Sequence, residues 1–115
     1  MAGSQLPVLR GTLEFLALRT LAGGRSMHGF EILDWIHATT ADELSVEEGA
    51  LYPALHRMEK RGWLSARWSV SEKGRRAKYY RLTAGGRKAL RLEEGKWATY
   101  VAAVDRLSSA EAPVE

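Results

Sequence analysis

The sequence predicts a mainly α-helical chain with one small β-hairpin, in the order helix, helix, helix, strand, strand, helix. Three observations lead there. Apolar residues recur at helical spacing in three segments before residue 62. Between Trp63 and Leu82 the pattern changes to two aromatic-rich runs around a polar loop. A helical pattern then resumes behind Thr83 and runs to about Leu107.

The first helix is expected from about Pro7 to Leu21, on Leu9, Leu13, Leu16, Leu18 and Leu21. Pro7 suits a first turn and Gly23-Gly24 a stop. The segment is apolar on more than one face, which calls for a second buried side and hence a partner chain. Ser26 can cap a second helix from Met27 to Ala38, with Phe30, Ile32, Leu33 and Ile36 inward and Trp35 beside them. After the polar connection Thr39 to Leu44, Ser45 and Glu48 match a capping box for a third helix reaching about Arg61, closed by Gly62. Leu51, Leu55 and Met58 fall on its inner side, and Pro53 lies within it, with a bend expected there. Strands follow at 63–68 and 77–82, with Gly74 as turn former in the loop from Ser69 to Arg76. Thr83 caps the last helix, where Leu90, Trp97, Tyr100, Val101, Val104 and Leu107 lie near a seven-residue stripe broken by Glu93. The first five residues and Ser108 to Glu115 read as frayed tails.

Charge is segregated along the chain. From Arg57 to Arg91 there are twelve bases and two acids, whereas the remainder has five bases and twelve acids, so the formal net charge of +3 conceals a strongly basic half. Such a half suggests a polyanionic partner, and a solvated basic face is the plainer alternative. The chain has no cysteine, which removes disulfides, thiolate catalysis and cysteine zinc sites and is compatible with a reducing cytoplasm. Met1 to Gln5 lack the features of a secretory signal, and no run of 18 apolar residues exists to span a membrane. His28, His37 and His56 have no metal-ligand spacing, and no phosphate loop, nucleophile elbow or framed carboxylate pair is present. The expectation is a non-enzyme with neither metal nor cofactor.

Three short helices followed by a hairpin is the order of a winged helix-turn-helix, in which the third helix enters the DNA major groove. The hairpin has Lys73, Arg75, Arg76 and Lys78 about its turn, suited to neutralising phosphates. The expected division is 6–83 as the DNA-binding unit and 84–108 as a C-terminal dimerisation helix. A winged-helix protein–protein adaptor, without DNA, is the alternative from another functional class.

Three segments bear a family resemblance. Met27-His28-Gly29-Phe30-Glu31-Ile32 resembles the M-H-G-Y-E-I that opens the second helix of PadR-like regulators. The run from Glu48 to Glu59, with Leu51-Tyr52-Pro53 at its centre, is similar to their recognition helix. Gly74 to Gly86 resembles their wing strand and the cap of the final helix. The likeness covers roughly residues 8 to 107 and is to the short subfamily with a single C-terminal helix.

That resemblance implies a homodimeric repressor of pseudo-palindromic double-stranded DNA, cytoplasmic, and released by a small, often aromatic, compound. It points to Tyr52 as the leading DNA contact, with Ala50 and Pro53 as small neighbours and His56 and Arg57 one turn on. Arg75, Arg76 and Lys78 carry over from the family's basic strand, with Lys73 near them. The dimer would use Leu13, Leu16, Leu90, Trp97, Tyr100, Val101 and Val104. Trp97 is either a plain dimer-core tryptophan or the wall of an effector pocket between subunits. Glu47 and Glu48, at the start of the third helix, are awkward for DNA; Glu47 is either a solvated cap or an acceptor for a cytosine amino group. With few polar base readers left, recognition is expected to lean on backbone contacts and DNA shape.

Overall fold

Alternation of helical and extended patterns along the chain becomes four helices, a three-stranded antiparallel sheet and a short two-stranded parallel pair in the computed structural model, which describes residues 6, 7 and 11–111. The elements are β1 (Leu6–Pro7), α1 (Leu13–Thr20), β2 (Met27–His28), α2 (Gly29–Thr39), β3 (Leu44–Ser45), α3 (Glu48–Lys60), β4 (Leu64–Val70), β5 (Arg76–Leu82) and α4 (Ala84–Ser109). The order of the four helices and the hairpin is the expected one, and the fold is a winged helix: mainly helical, with a small antiparallel sheet.

Leucines at positions 51 and 55 and Met58 recur at i, i+4 and i+7, so they share one face of α3. All three are fully buried there. They meet Leu18 and Leu21 from α1, Ile32, Leu33 and Ile36 from α2, and Leu64, Tyr80 and Leu82 from the hairpin. Burying one such side chain stabilises the fold by roughly 1.5–3 kcal/mol. Ala89 and Leu90 anchor the first turns of α4 on the same core. Leu90, expected in a dimer stripe, is therefore covered within its own chain and offers a second copy little surface.

Several boundaries differ from the expectation, each for a local reason. The first helix begins at Leu13 and not near Pro7, because Pro7 pairs in parallel with Ser45 and Gly11 turns the chain with φ +85°. Leu9 lies outside the described residues, as do the first five residues and 112–115 of the expected tails. Ser26 does not cap α2. Met27 and His28 instead extend the sheet, opposite Tyr80 and Tyr79. His28 forms a reciprocal box with Glu31: the Glu31 N–H donates to His28 Nδ1 at 3.3 Å, and the His28 N–H donates to Glu31 Oε1 at 3.0 Å. Ser45 and Glu48 form no capping box either. Glu47 is the N-cap of α3, and its side chain makes no capping bond. The phase is set by Val46, which is buried and whose N–H donates to His37 Nε2 at 3.2 Å.

The hairpin strands run to seven residues each, longer than expected, with Ser69, Val70 and Arg76 in the ladder. That shortens the loop to Ser71–Arg75. There the Gly74 N–H donates to the Ser71 carbonyl at 2.9 Å, and Gly74 takes φ +75°, where a side chain would be strained. Thr83 caps α4 as expected, its hydroxyl accepting from the Gly86 N–H at 3.0 Å. The helix continues through Ser108 and Ser109, past the expected tail boundary. Phe30, expected inward, is 56% exposed. It stands roughly 100° round α2 from the centre of the Gly29, Ile32, Leu33 and Ile36 face, at 100° per residue.

Candidate nucleic-acid interface

A helix whose inner face is Leu51, Ala54, Leu55 and Met58 must present the residues between them to solvent. On α3 these are Ala50, Tyr52, Pro53, His56 and Arg57, all exposed. The structure thus brings five of the expected contact residues onto one surface of one helix. Tyr52 is held there by Gly29: a Cβ on Gly29 would collide with the Tyr52 ring, so the absence of a side chain lets the phenol lie against the start of α2. Phe30 meets the same ring edge-on, with centroids 6.4 Å apart. Burial, then the Glu48 carboxylate, then Tyr80 raise the Tyr52 pKa above its ordinary value. The phenol is therefore a neutral donor at physiological pH.

On the wing, Lys73, Arg75 and Arg76 are exposed around the turn. The Arg76 guanidinium lies 4.8 Å over the centroid of the Trp68 ring, a cation–π contact that orients the arginine. Lys78 differs from its neighbours. Its ammonium donates to Glu59 Oε1 at 2.8 Å, and that bond holds its pKa above the usual lysine value despite the opposing effect of burial. Arg57 is similarly engaged, its Nε 3.4 Å from Glu14 Oε2 on α1, while Arg61 Nη1 holds the other oxygen of that carboxylate at 2.7 Å. Two of the expected contact cations therefore also tie α3 to its neighbours. Sequence reasoning missed Glu14 and Glu59 because their partners lie 43 to 47 and 19 residues away along the chain.

A separate aromatic group lies between α1 and α4. Trp97 stacks on Tyr100 with centroids 5.9 Å apart, and Phe15 from α1 tilts against it at 6.2 Å. They line a cleft of about 520 Å³ together with Gly11, Thr12, Glu93 and Lys96. Tyr100, Val101 and Val104 remain exposed along α4, and Leu107 is 79% exposed. Leu13 and Leu16 are partly buried against the core. Phe15 was not anticipated in this group; its i, i+1 position beside Leu16 gave no sign of the direction it faces. Among the described residues no group of three His, Asp or Glu side chains could hold a metal, and no helix is long and apolar enough to cross a membrane.

A three-helix core presenting the exposed face of α3 beside a basic hairpin defines a winged-helix module of the transcription-regulator class. Residues 18–92 match the model of the transcriptional regulator PadR-like family. The chain belongs to that family, whose members are transcriptional regulators and not enzymes. A protein of solved structure from Streptococcus mutans superposes with a TM-score of 0.79 at 29% identity, covering 97% of this chain and 100% of that one. A PadR-like transcriptional regulator from Bacillus cereus gives a TM-score of 0.76 at 27% identity, covering 90% and 97%. An uncharacterized protein from Lysinibacillus sphaericus is 29% identical over 98 residues, 85% of this chain and 89% of its own length.

Proposed function

We propose that the chain is a homodimeric, cytoplasmic repressor that binds pseudo-palindromic duplex DNA, with residues 6–83 as the reader and 84–108 as the dimerisation helix. The observation that supports this most is the placement of Lys73, Arg75 and Arg76 on the wing beside the exposed Tyr52 face of α3. A helix of this width fits the major groove, while a cationic hairpin neutralises the flanking phosphates. Ala50 and Pro53 allow close approach, Tyr52 donates to a phosphate or base edge, and His56 and Arg57 reach the backbone.

Dimerisation is supported by the exposed stripe Trp97, Tyr100, Val101 and Val104, an apolar face on a 26-residue helix. The cleft at Trp97 and Phe15 suits a flat aromatic effector, whose binding would change the spacing of the two wings. A footprint on the DNA upstream of the protein's own gene tests the reading. It predicts two protected half-sites related by a two-fold axis, and protection lost when a planar aromatic compound that quenches Trp97 is added. A uniform footprint contradicts sequence-specific recognition, and an absent one favours an adaptor without DNA.

A further inference from the structure

Arg57 and Arg61 stand one turn apart at the end of α3, both exposed, where two like charges repel. Glu14, in the first turn of α1, lies between them and gives one oxygen to each. The core beneath puts it there. Ala17 and Leu18 follow Glu14 by three and four residues, so the three share one face of the helix. Ala17 and Leu18 are fully buried in the core that also holds Leu55 and Met58 of α3. The carboxylate is thus brought to the edge of the α1–α3 contact on a fixed backbone, and its side chain is only 26% exposed.

The two arginines are not held alike. Arg61 Nη1 donates to Glu14 at 2.7 Å, and the same guanidinium lies 5.0 Å from the centroid of the Trp63 ring. Arg61 is fixed from two sides and anchors the carboxylate. Arg57 donates through Nε alone, at 3.4 Å, and its side chain is 54% exposed. Its two terminal nitrogens make no hydrogen bond among the described residues. Gripped at Nε, the planar group keeps its outer edge, a pair of N–H groups that suits phosphate, for a further acceptor.

We propose that Glu14 is a positioning residue for DNA binding: anchored by Arg61, it holds Arg57 with its terminal nitrogens free for a phosphate. The proposal rests on the reading of α3 as the DNA-facing helix, on which Arg57 shares the exposed side with Pro53 and His56. An unrestrained arginine loses its rotamer freedom on meeting a phosphate. One already held has lost that freedom in folding, so less is lost on binding. Glu14 is then an acid that strengthens the hold on a polyanion, the reverse of what its charge alone does.

The test compares four full-length chains: the natural one, Glu14→Gln, Arg57→Gln and the double variant. Each is titrated by anisotropy against a labelled duplex from upstream of the protein's own gene, at one salt concentration and well below every chain's melting temperature. Glu14→Gln adds net positive charge, yet it should bind at least about fivefold more weakly in a dimer, two copies each losing roughly twofold to tenfold. In the Arg57→Gln background the same change should bring no further loss. In the free protein, ¹⁵N relaxation of the Arg57 Nε–H should report an ordered side chain that becomes mobile in Glu14→Gln. Equal or tighter binding by Glu14→Gln overturns the proposal, as does an Arg57 Nε–H no more mobile in that variant. An equal loss in both backgrounds also overturns it, because a general structural role would weaken both alike. The outcomes separate the two readings. If Glu14 orders Arg57 but no chain binds DNA, or Arg57→Gln binds as tightly as the natural chain, the DNA reading of that face fails and the proposal with it. If binding needs Arg57 and not Glu14, the positioning role alone fails.

Discussion

The ammonium of Lys78, on the wing, donates to the carboxylate of Glu59, on α3, at 2.8 Å. That bond ties the wing to α3, the helix it flanks. The bond raises the Lys78 pKa, and burial raises those of Tyr52 and Tyr80. Groups whose pKa is raised by folding stabilise the fold below their unfolded values and lose that contribution as pH rises through the folded ones. Thermal stability should therefore be steady across neutral pH and fall above about pH 10, where free tyrosine and lysine begin to titrate. Glu59→Gln combined with Tyr52→Phe should flatten that fall, while lowering stability at pH 7 by no more than about 1 kcal/mol for the partly exposed pair. Circular-dichroism melts from pH 7 to 11 read both effects; an unchanged alkaline slope in the double variant contradicts the assignment.

Gly29→Ala should displace the Tyr52 ring from its seat, because the new methyl would occupy the place of the phenol. The ring is mobile enough to yield, so the principal loss should be in DNA binding. Affinity is expected to drop about tenfold, equivalent to roughly 1.4 kcal/mol. Tyr52→Phe keeps the ring in place and isolates the hydroxyl. Fluorescence anisotropy with a labelled duplex separates the two; full affinity in Gly29→Ala would remove Tyr52 from the contact surface.

Leu55→Ala and Phe30→Ala test the two sides of the helical packing. Leu55 is fully buried, so its truncation should cost about 2–5 kcal/mol. Phe30 is exposed, so its loss should change stability by less than about 0.5 kcal/mol. Urea unfolding checks the pair, and a large loss at Phe30 would return it to the core.

The contrast between these residues also shows what the sequence could convey. Leu51, Leu55 and Met58 were legible because a 3.6-residue period assigns a face without reference to the rest of the chain. Phe30 was not, since it lies at the margin of its face and only the wing's position decides whether it is covered. The caps at Ser26 and Ser45 were misread for a related reason. Met27-His28 and Leu44-Ser45 pair with strands distant in sequence, and those pairings shift each helix start two residues on. Of the candidate site, the cation cluster and the α3 face were visible as composition and spacing. The ion pairs Lys78–Glu59 and Arg57–Glu14, and the neighbourhood of Phe15 and Trp97, depend on tertiary packing that no local pattern encodes.

Val101→Asp and Val104→Asp each place a charge on the exposed apolar stripe of α4 without touching the chain's own core. Either should convert a dimer to a folded monomer in sedimentation, with unchanged far-UV circular dichroism and much weaker operator binding. An intact dimer would place the interface elsewhere.

If the wing and α3 together grip duplex DNA, affinity must fall steeply as salt rises. Anisotropy is measured on the duplex upstream of the protein's own gene at 50 and 200 mM salt, for the natural chain and for Arg75→Ala, Arg76→Ala. With three wing cations from each of two copies, the natural chain should lose about a thousandfold in affinity between those salts. Each lost phosphate contact should reduce the log–log slope by about 1, so the double variant should bind far less steeply in a dimer. Binding that is absent, or that has the same salt slope in both proteins, would contradict the account.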